Sequence, residues 1–266
     1  MLIREPTTPG SYFVYNGFNS ADYGVFISGV GIFPAPERIV DVITVPGRSG
    51  NIIFDNKRFE NVDITVPCYI PRRFQNRFAD FKAAMLSDTG YHRLEFSQDS
   101  DHFREAYVTG PIAPSTGPLN RSGQFDITFH CKPQRYLKLG ERTIVLTGTG
   151  EITNPTLYHA KPLIQITGTQ HGSFSLDFSG GATSNENWFV MVNDNVTGIM
   201  YLDSYTGNAY YERTSGGTAY KIPINNKIQT QPSGFPQLRP GYNKIVVSNI
   251  SGTVTRMQVY PRWWTV

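Results

Sequence analysis

Two segments far apart in the chain place apolar residues at every second position. These positions are Val62, Ile64, Val66 and Cys68 in the first segment, and Phe125, Ile127, Phe129 and Cys131 in the second. Because successive side chains of a strand point to opposite faces, each segment predicts a strand with one buried face and one polar face. This pattern is typical of antiparallel sheets, so it constrains the chain to a largely β fold.

One segment follows a helical period instead. Phe74, Phe78, Phe81 and Met85 recur at spacings of four, three and four, which predicts one apolar stripe on a helix over residues 71–88. Burying each of these side chains is worth roughly 1.5–3 kcal/mol. We therefore expect the helix to dock on a sheet.

Clusters of turn-forming residues divide the rest of the chain into short strands. Two strands joined by the polar turn 97–101 predict a hairpin over residues 91–108, whose tip is expected to project. The loop 46–50 combines proline with glycine and is expected to project as well. The remaining predicted strands lie at residues 12–15, 25–27, 39–45, 163–166, 174–178, 189–192, 199–202, 245–247 and 254–260.

The character of the chain changes around residues 132–153. The helix lies before this stretch, and after it only strands follow, spaced about ten residues apart as in a β-sandwich. We therefore predict two domains, residues 1–137 and 138–266. The predicted fold class is mainly β, with two β-sandwich domains, the first of which carries one α-helix and a projecting β-hairpin.

The charge pattern gives no sign of a nucleic-acid partner. Residues 1–135 carry 14 basic and 14 acidic residues, and the remainder carries 10 and 7, which accounts for the net charge of +3. No basic run suggests a nucleic-acid groove, so we expect no specific nucleic-acid binding. No stretch of about 18 apolar residues predicts a membrane span. Residues 1–6 lack the apolar stretch of a signal peptide, so synthesis in a cytoplasm is expected.

The sequence lacks motifs for catalysis, metal binding or cofactor binding. It has no His-Glu-x-x-His, no Gly-x-Ser-x-Gly and no phosphate-binding loop, so we predict no enzyme and no catalytic, metal or cofactor residue. Asp99 and Asp101 could form an acid–base pair, but on a hairpin tip both are expected to stay solvated with ordinary pKa values. Cys68 and Cys131 each lie on the apolar side of an alternating segment, which predicts two buried free thiols.

A series of short motifs, in this order, resembles the distal tail protein (Dit) family of siphophages that infect Gram-positive bacteria. Each motif is weakly specific alone, but their order and spacing extend over nearly the whole chain. Besides the Phe-rich helix and its hairpin, the motifs are YNGFNSADYGV (15–25), VPGRSG (45–50), CKPQRY (131–136), NPT (154–156), AKPLI (160–164), LRPGYNKI (238–245) and PRWW (261–264).

The resemblance implies a structural hub of the phage tail tip. Six copies would form a ring that connects the tail tube to the tail-tip or baseplate proteins. The first domain would make the ring, and the second, galectin-like in this family, would point outward. The implied partners are other copies of the chain, the major tail tube protein, the tail-tip (tail-associated) protein and, in some phages, receptor-binding proteins. The implied location is the distal end of the tail in the virion, after synthesis in the host bacterial cytoplasm.

The candidate subunit interface lies on the two predicted projections. A closed ring needs a head-to-tail contact, which strand edges and projecting hairpins can supply by pairing across subunits. Arg48 has two interpretations: it pairs with a carboxylate of a neighbouring copy, or it stays solvated or paired within its own chain. The interface residues predicted in this way are Pro46, Gly47, Arg48, Asp99, Asp101 and His102.

The alternative function is a carbohydrate-binding tail protein that attaches to host cell-wall saccharide through the C-terminal sandwich. Such a site needs an exposed aromatic ring and nearby polar groups. Trp263 and Trp264 are expected to pack the last strand onto its own domain, with docking to a tail partner as the other interpretation. The candidate sugar-binding residues are Trp188, Tyr201, Tyr205 and Tyr210, with Asn185, Glu186, Asn187 and Arg213.

Overall fold

The structure is a computed structural model, which describes residues 10–28, 31–167, 174–180, 188–192, 199–215, 217–250 and 253–266. The N-terminal residues 1–6 and the candidate sugar-binding residues 185–187 lie outside this described part. The chain divides into two compact units: the first extends through Arg135 and includes Val266, and the second is Tyr136–Thr265. This division falls two residues before the boundary expected at residue 137.

The first unit is built on one antiparallel sheet. Its strand order is β2-β1-β7-β8-β10-β6-β3, and β9 also pairs with β10, while β4 and β5 form a separate two-stranded sheet. The two alternating segments lie side by side as β6 and β10, paired from Val62 with Cys131 to Ile70 with Gly123. The strands are β1 Phe13–Tyr15, β2 Phe18–Asn19, β3 Phe26–Ile27, β4 Arg38–Ile43, β5 Ile52–Phe59, β6 Val62–Ile70, β7 His92–Phe96, β8 His102–Tyr107, β9 Ser115–Thr116 and β10 Gly123–Leu137.

Helix α1 (Phe74–Met85) covers one face of this sheet. All four residues of the predicted apolar stripe are buried in the core of the first unit, which confirms the expected docking. The ring centre of Phe78 lies 5.0 Å from that of Phe125 on β10. The helix begins three residues later than predicted because Arg73 has a left-handed backbone (φ 54°), which interrupts the helical path.

The hairpin predicted at residues 91–108 is present, because its two strands pair directly with each other. The strands of that predicted hairpin form β7 and β8 inside the main sheet. The hairpin that stands apart is β4–β5, from Arg38 to Phe59, and we call it the arm. Its second strand was not predicted, because residues 52–59 contain an unbroken apolar run followed by a polar run rather than an alternation.

The second unit is a β-sandwich of two antiparallel sheets. The six-stranded sheet has the order β11-β21-β13-β16-β17-β18, and the five-stranded sheet has the order β12-β20-β14-β15-β19. Side chains from both sheets share one core, as the mainly β prediction requires. The strands of these two sheets are β11 Ile144–Leu146, β12 Gly150–Asn154, β13 Leu163–Thr167, β14 Phe174–Gly180, β15 Trp188–Val192, β16 Ile199–Asp203, β17 Asn208–Ser215, β18 Thr218–Pro223, β19 Ile228–Gln231, β20 Gly241–Asn249 and β21 Arg256–Tyr260. A last short strand, β22 Trp264–Thr265, is not part of either sheet.

A buried asparagine organises the turn after β12. The Asn154 amide nitrogen donates to the carbonyl oxygens of Tyr158 (2.9 Å) and Leu238 (3.1 Å). Its amide oxygen accepts a hydrogen bond from the Thr156 backbone N–H at 2.9 Å. The side chain therefore replaces the backbone partners that an irregular turn would otherwise lack.

The aromatic residues near the C-terminus pack within the second unit. Trp263 is buried in the core. The Trp264 ring stacks on Tyr158, with ring centres 4.4 Å apart, and its indole N–H donates to the His159 carbonyl oxygen at 2.8 Å. These contacts favour the packing interpretation of both tryptophans over the docking one.

Both cysteines are free and buried, as predicted. They lie on β6 and β10 in the first unit, and neither side chain is more than 1% exposed. Burial raises the pKa of the Cys68 and Cys131 thiols to about 12. Both thiols therefore stay protonated and unreactive at neutral pH.

Candidate subunit interface

The arm exposes apolar side chains on both of its faces. Directly opposed residues of an antiparallel pair share a face, so the pairing of β4 with β5 assigns each side chain to one side. One side, which we call the valine face, carries Val40, Val42 and Ile53. The other side, the phenylalanine face, carries Ile43, Ile52 and Phe54. Ile53 is 66% exposed and Phe54 is 60% exposed, values normally seen for polar residues.

The tip of the arm is a tight turn built from the predicted loop. The Arg48 backbone N–H donates to the Val45 carbonyl oxygen at 3.2 Å. Gly47, the second central residue of this turn, has a φ of 80°. Proline followed by a residue of positive φ is typical of a type II turn, which needs glycine at that place. The predicted residues Pro46, Gly47 and Arg48 therefore lie together at the exposed end of the arm.

The charges of the arm differ between its faces. On the valine face, Asp55 accepts hydrogen bonds from the Arg38 guanidinium, one of them from Nε at 3.0 Å. These hydrogen bonds lower the pKa of Asp55 to about 2. Asp41 lies on the phenylalanine face, opposite Phe54. Among the residues that the structure describes, neither Asp41 nor Arg48 forms an ion pair within the chain.

The second set of predicted interface residues is occupied by contacts inside the subunit. Arg135 Nε donates to Asp99 Oδ2 at 2.8 Å, and His102 Nδ1 lies 2.8 Å from Asp99 Oδ1. Burial alone would raise the pKa of Asp99, but the hydrogen bonds from Arg135 and His102 outweigh it, and the pKa lies below its ordinary value. The expectation that this carboxylate stays solvated with an ordinary pKa is therefore wrong. Asp101 remains exposed.

A buried arginine anchors the segment that leads into the arm. Arg104 is 4% exposed, and its guanidinium donates to the carbonyl oxygens of Pro34 and Pro133, each at 3.4 Å. Burial lowers the pKa of Arg104 from its usual value. This role could not be predicted from the sequence, because Arg104 lies at an ordinary strand position. Its contact fixes the chain between β3 and β4 against the sheet.

The aromatic candidates for sugar binding are engaged with protein groups. The rings of Tyr201 and Tyr210 stack with centres 4.9 Å apart, and the Lys221 ammonium lies 4.8 Å from the Tyr210 ring centre. Trp188 contacts His159 edge-on, and the Arg262 guanidinium lies over the Tyr205 ring. A sugar stacks on the open face of a ring, so these contacts leave Tyr210 poorly placed for it.

The described residues contain no candidate metal site and no candidate transmembrane helix. Within the described part of the chain, no group of three or more His, Cys, Asp or Glu side chains is placed to hold a metal ion. No helix among the same residues is long and apolar enough to cross a membrane.

The two units together have the fold of phage tail hub and baseplate proteins. The SPP1 Dit (gp 19.1) protein, described as a paradigm of the hub adsorption apparatus in phages that infect Gram-positive bacteria, superposes with a TM-score of 0.66. That match has 15% sequence identity and covers 94% of this chain and 97% of the SPP1 protein. The predicted resemblance to distal tail proteins is thereby confirmed at the level of the fold.

A second match comes from the baseplate of phage P2 in its activated conformation with calcium. It has a TM-score of 0.52 and 10% identity, and covers 94% of this chain and 97% of that one. No protein-family model matches the chain, and no curated protein sequence matches it. The similarity is therefore visible in the fold and not in overall sequence similarity.

Proposed function

We propose that this protein is a structural hub of a phage tail tip, in which six copies close into a ring that joins the tail tube to the tail-tip proteins. Shared architecture with a phage hub protein and a phage baseplate supports a place in the tail tip. Fold alone does not define function, so the proposal needs a surface on this chain that requires a partner.

The arm is the observation that carries the proposal. A single two-stranded hairpin is marginally stable in water, and it gains stability when an apolar face packs on another element. Among the described strands, none pairs with β4 or β5 except the other strand of the arm. Exposed apolar residues on such an element are typical of a protein interaction site. The phenylalanine face therefore needs a surface from another molecule.

A second copy of the chain suits the phenylalanine face. A closed ring uses a head-to-tail contact, in which one surface of each copy meets a different surface of the next. A projecting arm is suited to this geometry because it reaches beyond its own subunit. Arg48 at the tip and Asp41 on the phenylalanine face can then form ion pairs with the neighbouring copy. Asp99 and His102 already have partners in their own subunit, so the arm is the stronger of the two predicted interface regions.

The test is the mass of the purified assembly, measured by native mass spectrometry and by light scattering. We expect a hexamer for the wild-type chain and a monomer for Phe54→Ser. Because Phe54 is exposed in the single chain, the variant is expected to fold normally, which a single cooperative thermal transition would check. Leu139→Ser, which also removes an exposed apolar side chain, is the matched control and should stay hexameric.

A wild-type protein that stays monomeric at its highest soluble concentration, and is not present as six copies in purified tails, would refute the proposal. A Phe54→Ser variant that remains hexameric would instead show that the phenylalanine face does not form the ring contact. The prediction that the protein is not an enzyme is tested with the same preparation, by measuring turnover of purified peptidoglycan, and we expect none.

A further inference from the structure

The arm joins the rest of the first unit through two legs, residues 32–37 before β4 and residues 60–61 after β5. The Glu60 backbone N–H donates to the Glu37 carbonyl oxygen at 2.9 Å, which ties the legs together at the base of the arm. The second leg continues directly into β6, a strand of the main sheet. The direction of the arm therefore depends on what holds the first leg.

The first leg is stiff and is anchored at its start. Ile32 is 3% exposed and lies in the core of the first unit. Pro34 and Pro36 have a fixed φ angle, and each proline also restricts the residue before it to extended conformations. Residues 33–36 therefore have little conformational freedom. A displacement at the start of this leg is expected to move the whole arm, because the leg itself absorbs little of it.

Two arginines from neighbouring strands hold the first leg where it leaves the core. Arg104 on β8 donates to the Pro34 carbonyl oxygen. Arg135 on β10 lies over the Phe33 ring, with its guanidinium carbon 5.3 Å from the ring centre. A cation is attracted to the face of an aromatic ring. Because Phe33 is 54% exposed, this contact restrains a ring that the core does not enclose.

The two arginines are themselves fixed in place. Arg135 donates to the Asp99 carboxylate, and Arg104 also donates to the Pro133 carbonyl oxygen. A buried guanidinium is costly to leave without acceptors, and Arg104 is 4% exposed. If the first leg moved away, Arg104 would lose the Pro34 carbonyl oxygen in a place that water reaches poorly. This cost favours a single position of the leg.

We propose that Arg104 and Arg135 are positioning residues, which hold the arm in one direction in the free chain and so orient it before a neighbouring copy binds. A freely moving arm would lose its freedom on binding, and an arm that is already oriented avoids this entropic cost. The benefit to ring closure rests on the proposed function, whereas the fixed direction of the arm concerns the single chain alone.

The direction of the arm is measured as the distance between two nitroxide spin labels, by pulsed electron paramagnetic resonance. The labels are attached to Ser49→Cys at the exposed tip and to Ala83→Cys at an exposed position of α1. Cys68 and Cys131 are buried and are expected to stay unlabelled. Every labelled chain also carries Phe54→Ser, so that no ring contact supports the arm. We expect one narrow distance distribution in this parent chain.

Arg104→Met removes both contacts with carbonyl oxygens but keeps a long side chain, and it is expected to replace the narrow distribution with a broad one. If Arg104→Met does not fold, Arg104→Lys provides the same test, since an ammonium group lacks the planar fork that reaches two acceptors. A broad distribution in the parent chain would overturn the inference. A narrow distribution in the folded Arg104 variant would overturn the role of Arg104.

The role of Arg135 is tested at the ring that it contacts. Phe33→Leu removes the aromatic face and should broaden the distance distribution, whereas Phe33→Tyr keeps that face and is the matched control. Because Phe33 is exposed, both variants should unfold at the urea concentration of the parent chain, which separates a loss of position from a loss of folding. Equally narrow distributions in the two variants would overturn the role of Arg135.

Assembly is measured separately, on unlabelled chains that keep Phe54. Phe33→Leu should need a higher protein concentration than wild type for half of the chains to form hexamers, and Phe33→Tyr should not. Equal concentrations for the two variants would overturn the link between the fixed arm and ring closure. A wild-type chain that forms no hexamer would refute the proposed function and this link with it, and the spin-label distances would still decide whether the arm has a fixed direction.

Discussion

Gly123 lies beneath the ring of Phe74, at the point where α1 meets the sheet. A Cβ at this position would lie 2.3 Å from Phe74 Cε2, which is closer than two carbon atoms can approach. We predict that Gly123→Ala destabilises the first unit by about 1–3 kcal/mol, because the ring and helix must move. This change is measured by urea unfolding, monitored through the exposure of the cysteine thiols. Gly31→Ala, where a Cβ meets nothing within 4 Å, should leave the transition unchanged.

Asp99 makes the stability of the first unit depend on pH. Its pKa is depressed in the folded state, so its contribution is fully present above its unfolded pKa of about 3.9 and is lost as the pH falls through the lower, folded value. We predict that Asp99→Asn costs about 1–2 kcal/mol at pH 7, because Arg135 loses a charged partner. The difference from wild type should shrink below about pH 4.

Urea midpoints at a series of pH values measure this effect. Asp101→Asn in the same turn is the control, since that residue is exposed and accepts only a 3.3 Å hydrogen bond from Ser100. An Asp99→Asn variant whose deficit stays constant down to acid pH would contradict the assignment.

For single residues, the sequence predicts burial more readily than it predicts which side chains pair. The predicted burial of Cys68 and Cys131 follows from their place in an alternating segment. The partnership of Arg135 with Asp99 does not, because Asp99 lies in the turn between β7 and β8 and Arg135 lies on β10, and the two meet only when the sheet order is known. Side-chain pairs across strands depend on register, which a single sequence specifies only weakly.

Phe81 is one of the four buried side chains through which helix α1 packs in the core of the first unit. The side chain is fully buried and contacts the rings of Phe13, Phe18 and Phe125. We predict that Phe81→Ala costs about 3–5 kcal/mol, since it leaves a cavity where helix and sheet meet. Asp80→Ala, one position away and exposed, should change stability by less than about 0.5 kcal/mol. Thiol exposure in urea measures the stability of both variants. Equal losses of stability in the two variants would mean that the apolar stripe of α1 does not stabilise the contact between helix and sheet.

The elements differ in how well the sequence predicts them. The helix and strands β6 and β10 were predicted because their periodicity is set by burial of one face. The arm was missed as an element because its residues are not patterned by the core of the first unit. An apolar run such as Ile52-Ile53-Phe54 is ambiguous in a single chain, and it becomes interpretable only when the structure shows that both faces are exposed.

The residues that can report on unfolding are divided between the two units. All three tryptophans, Trp188, Trp263 and Trp264, lie in the second unit, and both cysteines lie in the first. Each unit also has a hydrophobic core of its own. Fluorescence and thiol exposure therefore report on different cores during unfolding.

We predict that Asn154→Asp shifts the fluorescence transition of the second unit and leaves thiol exposure unchanged. A carboxylate there would place an oxygen against the carbonyl oxygens of Tyr158 and Leu238 and lose two hydrogen bonds, at a cost of at least about 2 kcal/mol. Asn226→Asp, at an exposed position of the same unit, is the control. A shift of both probes by Asn154→Asp would show that the units unfold together.

The mainly β fold class could be predicted from the sequence, because repeated alternation and turn spacing are properties of many residues at once. Several strands were not, among them β11 and β12, which lie in the stretch interpreted as a junction between domains. Short strands at the margin of a sheet carry too few residues to show a period. Their pairing with β21 and β20 depends on long-range contacts.

The two-sided arm has a consequence for the solubility of the free chain. A copy whose arm is uncovered carries apolar surface on both sides of a thin ribbon, and its unpaired strand edges add a template for irregular growth. Free chains are therefore expected to precipitate as their concentration rises. Under the proposed function, synthesis in excess of the binding partners would end in precipitate rather than in a reserve of free chains.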